Sequence, residues 1–192
     1  MARRILSCAS IIALLLILMA NSSSPVGANV EPLLVDISPQ IIEVDSGFSG
    51  TTIILFGVKS LPGDIIITLR GPEAPTIVRR KRRVAGIWIN RDSVAFRGVP
   101  QFYALASSRP INMILDTNGL TRNQIGSDHI LLNTIWSRTS DEVRAFRKAV
   151  RRARTKEELY APFIGKVVIM DDSLFRATLT LPANLPIGEY VA

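Results

Sequence analysis

The sequence predicts a mainly β domain, an immunoglobulin-like β-sandwich with a helical insertion from about residue 120 to residue 163. Runs rich in β-branched residues recur about every ten residues between positions 33 and 69, and turn residues separate them. One segment in the middle of the chain has the apolar period of an amphipathic helix. The β pattern returns after residue 165, so the helical segment interrupts one β-rich domain.

The first block contains four predicted strands. Pro39, Gly47 and Gly63 lie in the segments between them, where turn residues are expected. The predicted strands are Leu33–Ile37, Ile41–Val44, Thr52–Phe56 and Ile65–Leu69. Three more extended segments are predicted after them, at Thr76–Arg83, Val84–Asn90 and Val94–Phe96.

The insertion contains two predicted helices. The first is a short turn at Leu120–Gln124. The second begins at Thr139, whose hydroxyl has the spacing of a capping box with Glu142, and it continues for about four turns. Its predicted buried face consists of Val143, Phe146 and Val150.

The segment after this helix is predicted to return to β structure. A short helical piece at Lys156–Tyr160 precedes the strand Lys166–Met170. A turn at Asp171-Asp172 then leads into Phe175–Leu181, where apolar and polar side chains alternate as expected for a sheet with one buried face. Glu189–Ala192 reads as the start of another strand.

The first 28 residues have the composition of a signal peptide. Arg3 and Arg4 precede an uncharged apolar run over residues 5–20, which is shorter than the roughly 20 residues that a membrane-spanning helix needs. Val26-Gly27-Ala28 offers the small residues that signal peptidase accepts. We therefore expect cleavage after Ala28 and an exported, periplasmic domain over residues 29–192.

Composition narrows the chemistry of the mature domain. The only cysteine is Cys8, in the leader, so the mature chain can form no disulfide, zinc-thiolate site or cysteine nucleophile. The net charge of +7 falls to +5 when Arg3 and Arg4 are removed. For a basic exported protein we expect no nucleic-acid partner, and instead anionic lipid, an acidic wall polymer or an acidic protein.

The residues give little support for catalysis. His129 is the single histidine, and it lacks the second histidine or cysteine that most metal sites require. Each paired carboxylate has a structural explanation, in a helix start or a turn; these pairs are Asp141-Glu142, Glu157-Glu158 and Asp171-Asp172. We predict no catalytic residue, no metal site and no cofactor, and keep as an alternative a hydrolase that uses His129 with an acid.

Two basic clusters are the candidate contacts to an anionic surface. The first consists of Arg79, Arg80, Lys81, Arg82 and Arg83. The second lies on the predicted helix and consists of Arg144, Arg147, Lys148, Arg151, Arg152 and Arg154. The competing interpretation, which we favour at this point, is a solvated helix face and a strand edge protected against aggregation. Trp88 and Trp136 are predicted to be core or groove residues.

Three segments resemble an alphaproteobacterial family of transmembrane proteins. They are GFSGTTIILFG at Gly47–Gly57, VRRKRRVAGIWINRDSVAFRGVPQFYALASSRP at Val78–Pro110, and LFRATLTLPANLPIGEY at Leu174–Tyr190. The resemblance implies a signal peptide, a periplasmic β-rich domain and a C-terminal membrane helix, and genes encoded near those of permeases of the sulfite-exporter type. It supplies no catalytic or ligand-binding residue. Because this chain ends at Ala192, we expect its closing strand and membrane anchor to be missing, with an open sheet edge there.

The leading functional prediction is a non-enzymatic module at the periplasmic face of the inner membrane. It would serve as an accessory or binding partner of a membrane protein, such as a permease of the sulfite-exporter type. A second prediction is an envelope protein that binds anionic lipid or wall polymer through its basic surface. A basic face that joined the two clusters would favour the second prediction.

Overall fold

A computed structural model of the chain describes residues 33–136 and 139–192. The predicted leader and its cleavage site after Ala28 lie outside the described residues. The strands are β1 (Leu33–Ser38), β2 (Thr51–Lys59), β3 (Ile66–Arg70), β4 (Glu73–Val84), β5 (Ile87–Pro100), β6 (Tyr103–Ser107), β7 (Asn133–Thr134), β8 (Gly165–Met170) and β9 (Leu174–Leu181). The helices are α1 (Ile111–Ile114), α2 (Thr117–Arg122), a 3-10 helix (Ser127–His129) and α3 (Ser140–Lys156).

Six strands form one curled sheet in the order β1-β2-β9-β8-β6-β3. Neighbouring strands are antiparallel except for β6 and β8, which pair in parallel at Ala106 with Gly165 and at Ser107 with Lys166. A parallel pair needs a long crossover, and the helical segment between β6 and β8 provides it. The helices therefore begin at Ile111, earlier than the predicted insertion.

The first hydrophobic core lies on the inner face of this curled sheet. Alternate residues of β2 and β9 point into it, so that Leu55 and Phe175 are almost completely buried while their neighbours in sequence are exposed. Ile67 and Leu69 of β3 and Val167 of β8 complete its walls. The alternation predicted for Phe175–Leu181 is confirmed, since every second residue of β9 is buried.

A second, three-stranded sheet has the order β4-β5-β7 and encloses the other core. Val94, Phe96 and Val99 of β5 pack there against Val143, Phe146 and Val150 of α3. The predicted buried face of the helix is therefore confirmed.

Strand β6 is shared by the two cores, because all five of its residues are buried. Ala104 and Ala106 face the first core, whereas Tyr103 and Leu105 face the second. Tyr160 lies beside Tyr103 in the second core and donates a hydrogen bond of 2.9 Å from its hydroxyl to the Pro100 carbonyl. Burial raises the pKa of Tyr160 to about 12.

Both ends of α3 differ from the sequence prediction. Thr139 is the N-cap residue, but its side chain makes no capping hydrogen bond, so the predicted capping box is wrong in its contacts. The helix ends at Lys156, and the predicted helical piece Lys156–Tyr160 does not form. Glu158 has a left-handed φ of 60°, which turns the chain so that Tyr160 can bridge to β6.

Two predicted strands are not strands in the structure. Ile41–Val44 is extended but has no strand partner, and Ile42 packs on the first core through its side chain while Ile41 is exposed. The alternation is thus real, although the segment pairs with no strand. Near the C-terminus only Val191 pairs, in an isolated bridge with Arg70 at the outer edge of β3.

The chain is mainly β, as predicted, with a curled sheet and few helices. The immunoglobulin-like arrangement stays a prediction.

Candidate functional site

The first basic cluster lies on a β-hairpin that extends beyond the second core. We call residues Arg79–Asp92 the basic arm; they form the distal parts of β4 and β5. Ala85 and Gly86 form its two-residue turn, with φ values of 49° and 87°. Positive φ at both positions is the conformation that suits the twist of a two-residue hairpin. From Arg79 to Val84 the arm is about 17 Å long.

The arm carries cations on both of its faces. Six cations and one carboxylate lie between Arg79 and Asp92. Arg80 lies at the base, with its guanidinium 4.6 Å from the ring centroid of Phe146, in cation–π geometry. Arg82 pairs with Asp92 at 3.2 Å, and Arg83 donates to the carbonyl of Gly86 at 3.2 Å.

Arg79 and Lys81 differ from these three cations. Among the described residues, neither side chain forms a hydrogen bond or an ion pair. Both are exposed, and they share one face of β4 with Arg83. These two charges are therefore available to an external anion.

The tip of the arm is apolar and exposed. Cross-strand pairing places Val84 beside Ile87, Arg83 beside Trp88 and Arg82 beside Ile89. The four apolar side chains are Val84, Ile87, Trp88 and Ile89, and all are exposed. The prediction that Trp88 is a core or groove residue is wrong, since 65% of its surface is exposed. Trp136, which follows β7, is 63% exposed and contradicts the same prediction.

The second basic cluster divides into two sets. Arg147 and Arg151 face the protein, where Arg147 Nε donates to the Leu132 carbonyl at 3.1 Å and Arg151 Nη2 donates to the Ile130 carbonyl at 3.0 Å. Arg154 also faces inward and binds Gln101 at 2.6 Å. The outward set consists of Arg144, Lys148 and Arg152.

The inward arginines have a structural role that the sequence did not indicate. Arg151 Nε is buried and has no partner among the described residues. Burial lowers the pKa of the Arg151 guanidinium, and the nearby Asp128 carboxylate partly opposes this shift. Arg147 and Arg151 hold the segment that precedes α3 and are not surface contacts.

The arm and α3 touch at one point, but no cation of the second cluster takes part in that contact. Arg80 on β4 contacts Phe146 on α3, whose neighbour in sequence is the inward Arg147. The outward cations of α3 form no contact with the arm among the described residues. Of the eleven cations in the two predicted clusters, the structure brings the five of the arm together, turns Arg147, Arg151 and Arg154 inward, and leaves Arg144, Lys148 and Arg152 as a separate set.

His129 lies in the 3-10 helix and is half-buried. Its Nδ1 is 2.9 Å from the hydroxyl of Thr121, and that hydroxyl also lies 2.8 Å from the Thr117 carbonyl, to which it can donate. Thr121 is the only hydrogen-bond partner of the His129 side chain among the described residues. Over residues 33–136 and 139–192 no group of three His, Cys, Asp or Glu side chains could hold a metal ion.

Two surface cavities lie away from both basic clusters. The larger, of about 450 Å³, is lined mainly by apolar side chains, including Ile42, Leu69, Leu185 and Tyr190. The smaller, of about 370 Å³, lies beside Phe163 near the parallel pair of β6 and β8. Neither is lined by His129 or by a lysine or arginine.

Residues 32–192 match the model of a family described as "Putative transmembrane protein (Alph_Pro_TM)". The chain belongs to this family. Membership in this transmembrane-protein family is consistent with an association with membranes. Among the described residues, no helix has both the length and the apolar character needed to cross a bilayer. No curated protein and no solved structure matches the chain.

Proposed function

We propose that this member of the family is a non-enzymatic, exported module that docks on the periplasmic face of the inner membrane through its basic arm. One observation carries the proposal. The exposed apolar tip of the arm is flanked by cations on both faces, of which Arg79 and Lys81 have no protein partner among the described residues.

The physical chemistry of the arm suits a headgroup layer. Each lysine or arginine near an anionic bilayer contributes about 1 kcal/mol of attraction. Tryptophan is favoured at the interface, since its ring is apolar and its N–H can reach a polar partner. Because β4 and β5 pair up to the turn, about half of the backbone groups of the tip are hydrogen-bonded within the hairpin, and the others can meet water and headgroups in the interface.

The alternative explanation is that the cations only protect a strand edge against aggregation. It accounts for the cations but not for the apolar tip. β4 is an edge strand, and cations on an edge discourage pairing with other chains. That explanation requires no apolar tip, and an exposed Val84, Ile87 and Trp88 would oppose solubility. The tip and the cations together favour docking.

Vesicle binding tests the proposal with the full chain, exported and purified. We expect binding to vesicles that contain phosphatidylglycerol and much weaker binding to phosphatidylcholine alone. The triple variant Arg79→Gln/Lys81→Gln/Arg83→Gln should weaken binding by about 10- to 100-fold. The matched control, Arg144→Gln/Lys148→Gln/Arg152→Gln, removes the same charge from α3 and should have a much smaller effect.

Tryptophan emission tests the insertion of the tip. With Trp136→Phe the remaining tryptophan is Trp88, whose emission should shift to shorter wavelength on vesicles. With Trp88→Phe the remaining Trp136 serves as an equally exposed control and should not shift. Equal losses for the two triple variants, or no shift of Trp88, would contradict docking through the arm. A membrane-protein partner, including a permease, would then be the better explanation if the protein still fractionates with membranes.

A further inference from the structure

The outer face of the curled sheet has an apolar spine along β2. Ile54, Phe56 and Val58 point away from the first core, and between 38% and 43% of each side chain is exposed. An exposed β-strand face normally carries polar residues at these alternate positions. The spine therefore indicates that something covers this face.

The strands on either side of β2 extend the apolar surface. Leu34 on β1 and Leu174 on β9 both pair with Val58, and Met170 on β8 pairs with Leu174. This cross-strand row crosses four strands, and each of its side chains is between 38% and 63% exposed. We call the outward surface of β1, β2 and β9 the outer sheet face.

The next row carries one charge of each sign. Asp36 on β1 and Arg176 on β9 both pair with Phe56, one on each side of it. Two strand spacings, about 10 Å, separate their Cα atoms, and they form no ion pair with each other in the described residues. Asp36 accepts a hydrogen bond from the Ile37 amide, and Arg176 forms no ion pair among the described residues.

The outward residues of β1 and those of β9 match each other across β2. The outward residues of β1 are Leu34, Asp36 and Ser38, and those of β9 are Leu174, Arg176 and Thr178. Each strand thus presents an apolar residue, a charge and a hydroxyl in the same order. The charges are opposite, so the face is complementary to itself.

We propose that a second copy of this chain covers the outer sheet face, in a dimer whose two-fold axis runs along β2. Rotation by 180° about that axis places Asp36 of one copy over Arg176 of the other, twice. The same rotation places Leu34 over Leu174 and Phe56 over Phe56. Two sheets related in this way pack face to face, about 10 Å apart, as in a β-sandwich.

The charges favour a second copy over lipid. Hydrocarbon would leave the charges of Asp36 and Arg176 desolvated without an opposite charge beside them, which is costly. The face measures about 14 by 20 Å over three rows of three strands, which is less than a standard interface. We therefore expect a dimer that dissociates on dilution.

Cross-linking tests the position of the axis. The full chain with Cys8→Ser has no thiol, so one added cysteine can react only with its copy in another chain. Ile54→Cys places that cysteine on the proposed axis and should give a homodimer with a short thiol-specific cross-linker in intact membranes. Thr155→Cys on α3 is exposed to the reagent, lies outside the proposed interface and should give none. A cross-link to a different protein at Ile54→Cys, or no cross-link at all, would overturn the proposal.

Charge reversal tests the pairing independently. In the Ile54→Cys background, Asp36→Arg and Arg176→Asp should each lower the homodimer yield at least tenfold, since each places like charges together. The double variant restores opposite charges and should recover most of the yield. Unchanged melting temperatures would show that the single variants fold. Single and double variants with the same yield would refute the two-fold arrangement.

Discussion

The curled sheet and the basic arm are both antiparallel β structure, but only the curled sheet has a core to face. In β9 every second side chain is buried, and the polar residues alternate with them. In the distal parts of β4 and β5 neither face is buried, and cations occupy both faces of β4. The same backbone geometry thus stabilises the domain in one region and displays side chains in the other.

Strand β5 runs from the second core into the arm, so one strand offers both a buried and an exposed position at which to break the comparison. Phe96 is completely buried in the second core, whereas Trp88, eight positions earlier, is exposed at the arm tip. Phe96→Ala should lower the free energy of unfolding by about 3–5 kcal/mol through lost burial and a cavity. Trp88→Ala should change it by less than about 0.5 kcal/mol. Urea unfolding followed by circular dichroism measures both.

A large loss of stability in Trp88→Ala would show that the arm packs against the domain. The arm would then be a structural element, and the vesicle experiments would need a different explanation.

Alkaline pH should destabilise the core through Tyr160. Its pKa is about 12 in the folded protein and about 10 in an unfolded chain. The unfolded state therefore loses this proton first, so stability falls as the pH rises from 10 towards 12, by about 2–3 kcal/mol. The stabilising contribution is complete below pH 10.

Tyr160→Phe is the control for this pH effect. It should remove that part of the pH dependence, while costing about 1–3 kcal/mol at neutral pH because the Pro100 carbonyl loses its partner. Equal slopes for the parent and Tyr160→Phe between pH 10 and 12 would contradict the assignment to Tyr160.

The smallest expected effect on stability concerns Ala85, in the turn of the arm. Ala85 has a left-handed φ of 49°, which a side chain other than asparagine, aspartate or glycine adopts at a cost. Ala85→Asn creates the Asn-Gly pair that two-residue hairpin turns prefer, and should stabilise the chain by about 0.5 kcal/mol. Vesicle affinity should stay the same or rise slightly, since the tip side chains are unchanged. A loss of stability would show that the turn has another conformation.

Much of the sheet could be predicted from local pattern. Strands β1, β2, β3, β8 and β9 were predicted within a few residues, because their β-branched runs and turn residues reflect local backbone preferences. The segment Ile41–Val44 has the same pattern, yet it is not a strand. Strand pairing depends on a free partner edge, and that information is distributed over the whole fold.

The candidate site was predicted less completely, for a related reason. The cations of the arm and of α3 were visible in the sequence, but Arg147 and Arg151 turn inward to carbonyls at residues 130 and 132. Helical spacing alone does not show which neighbour a side chain will meet. Trp88 was assigned to the core because large aromatic residues are usually buried, and only the hairpin pairing places it at a tip. The match between Asp36 and Arg176 depends on strand register, which no local pattern provides.

Strand β6 has a consequence for how the molecule opens. It is buried on both faces, hydrogen-bonded to β3 along one edge and to β8 and residues 159–161 along the other. Neither core can open without disturbing this strand, so the two cores should unfold as one cooperative unit. The amide protons of β6 should exchange with deuterium only through global unfolding, whereas those of the arm exchange through local opening. The arm can therefore loosen at a surface while the domain behind it stays intact.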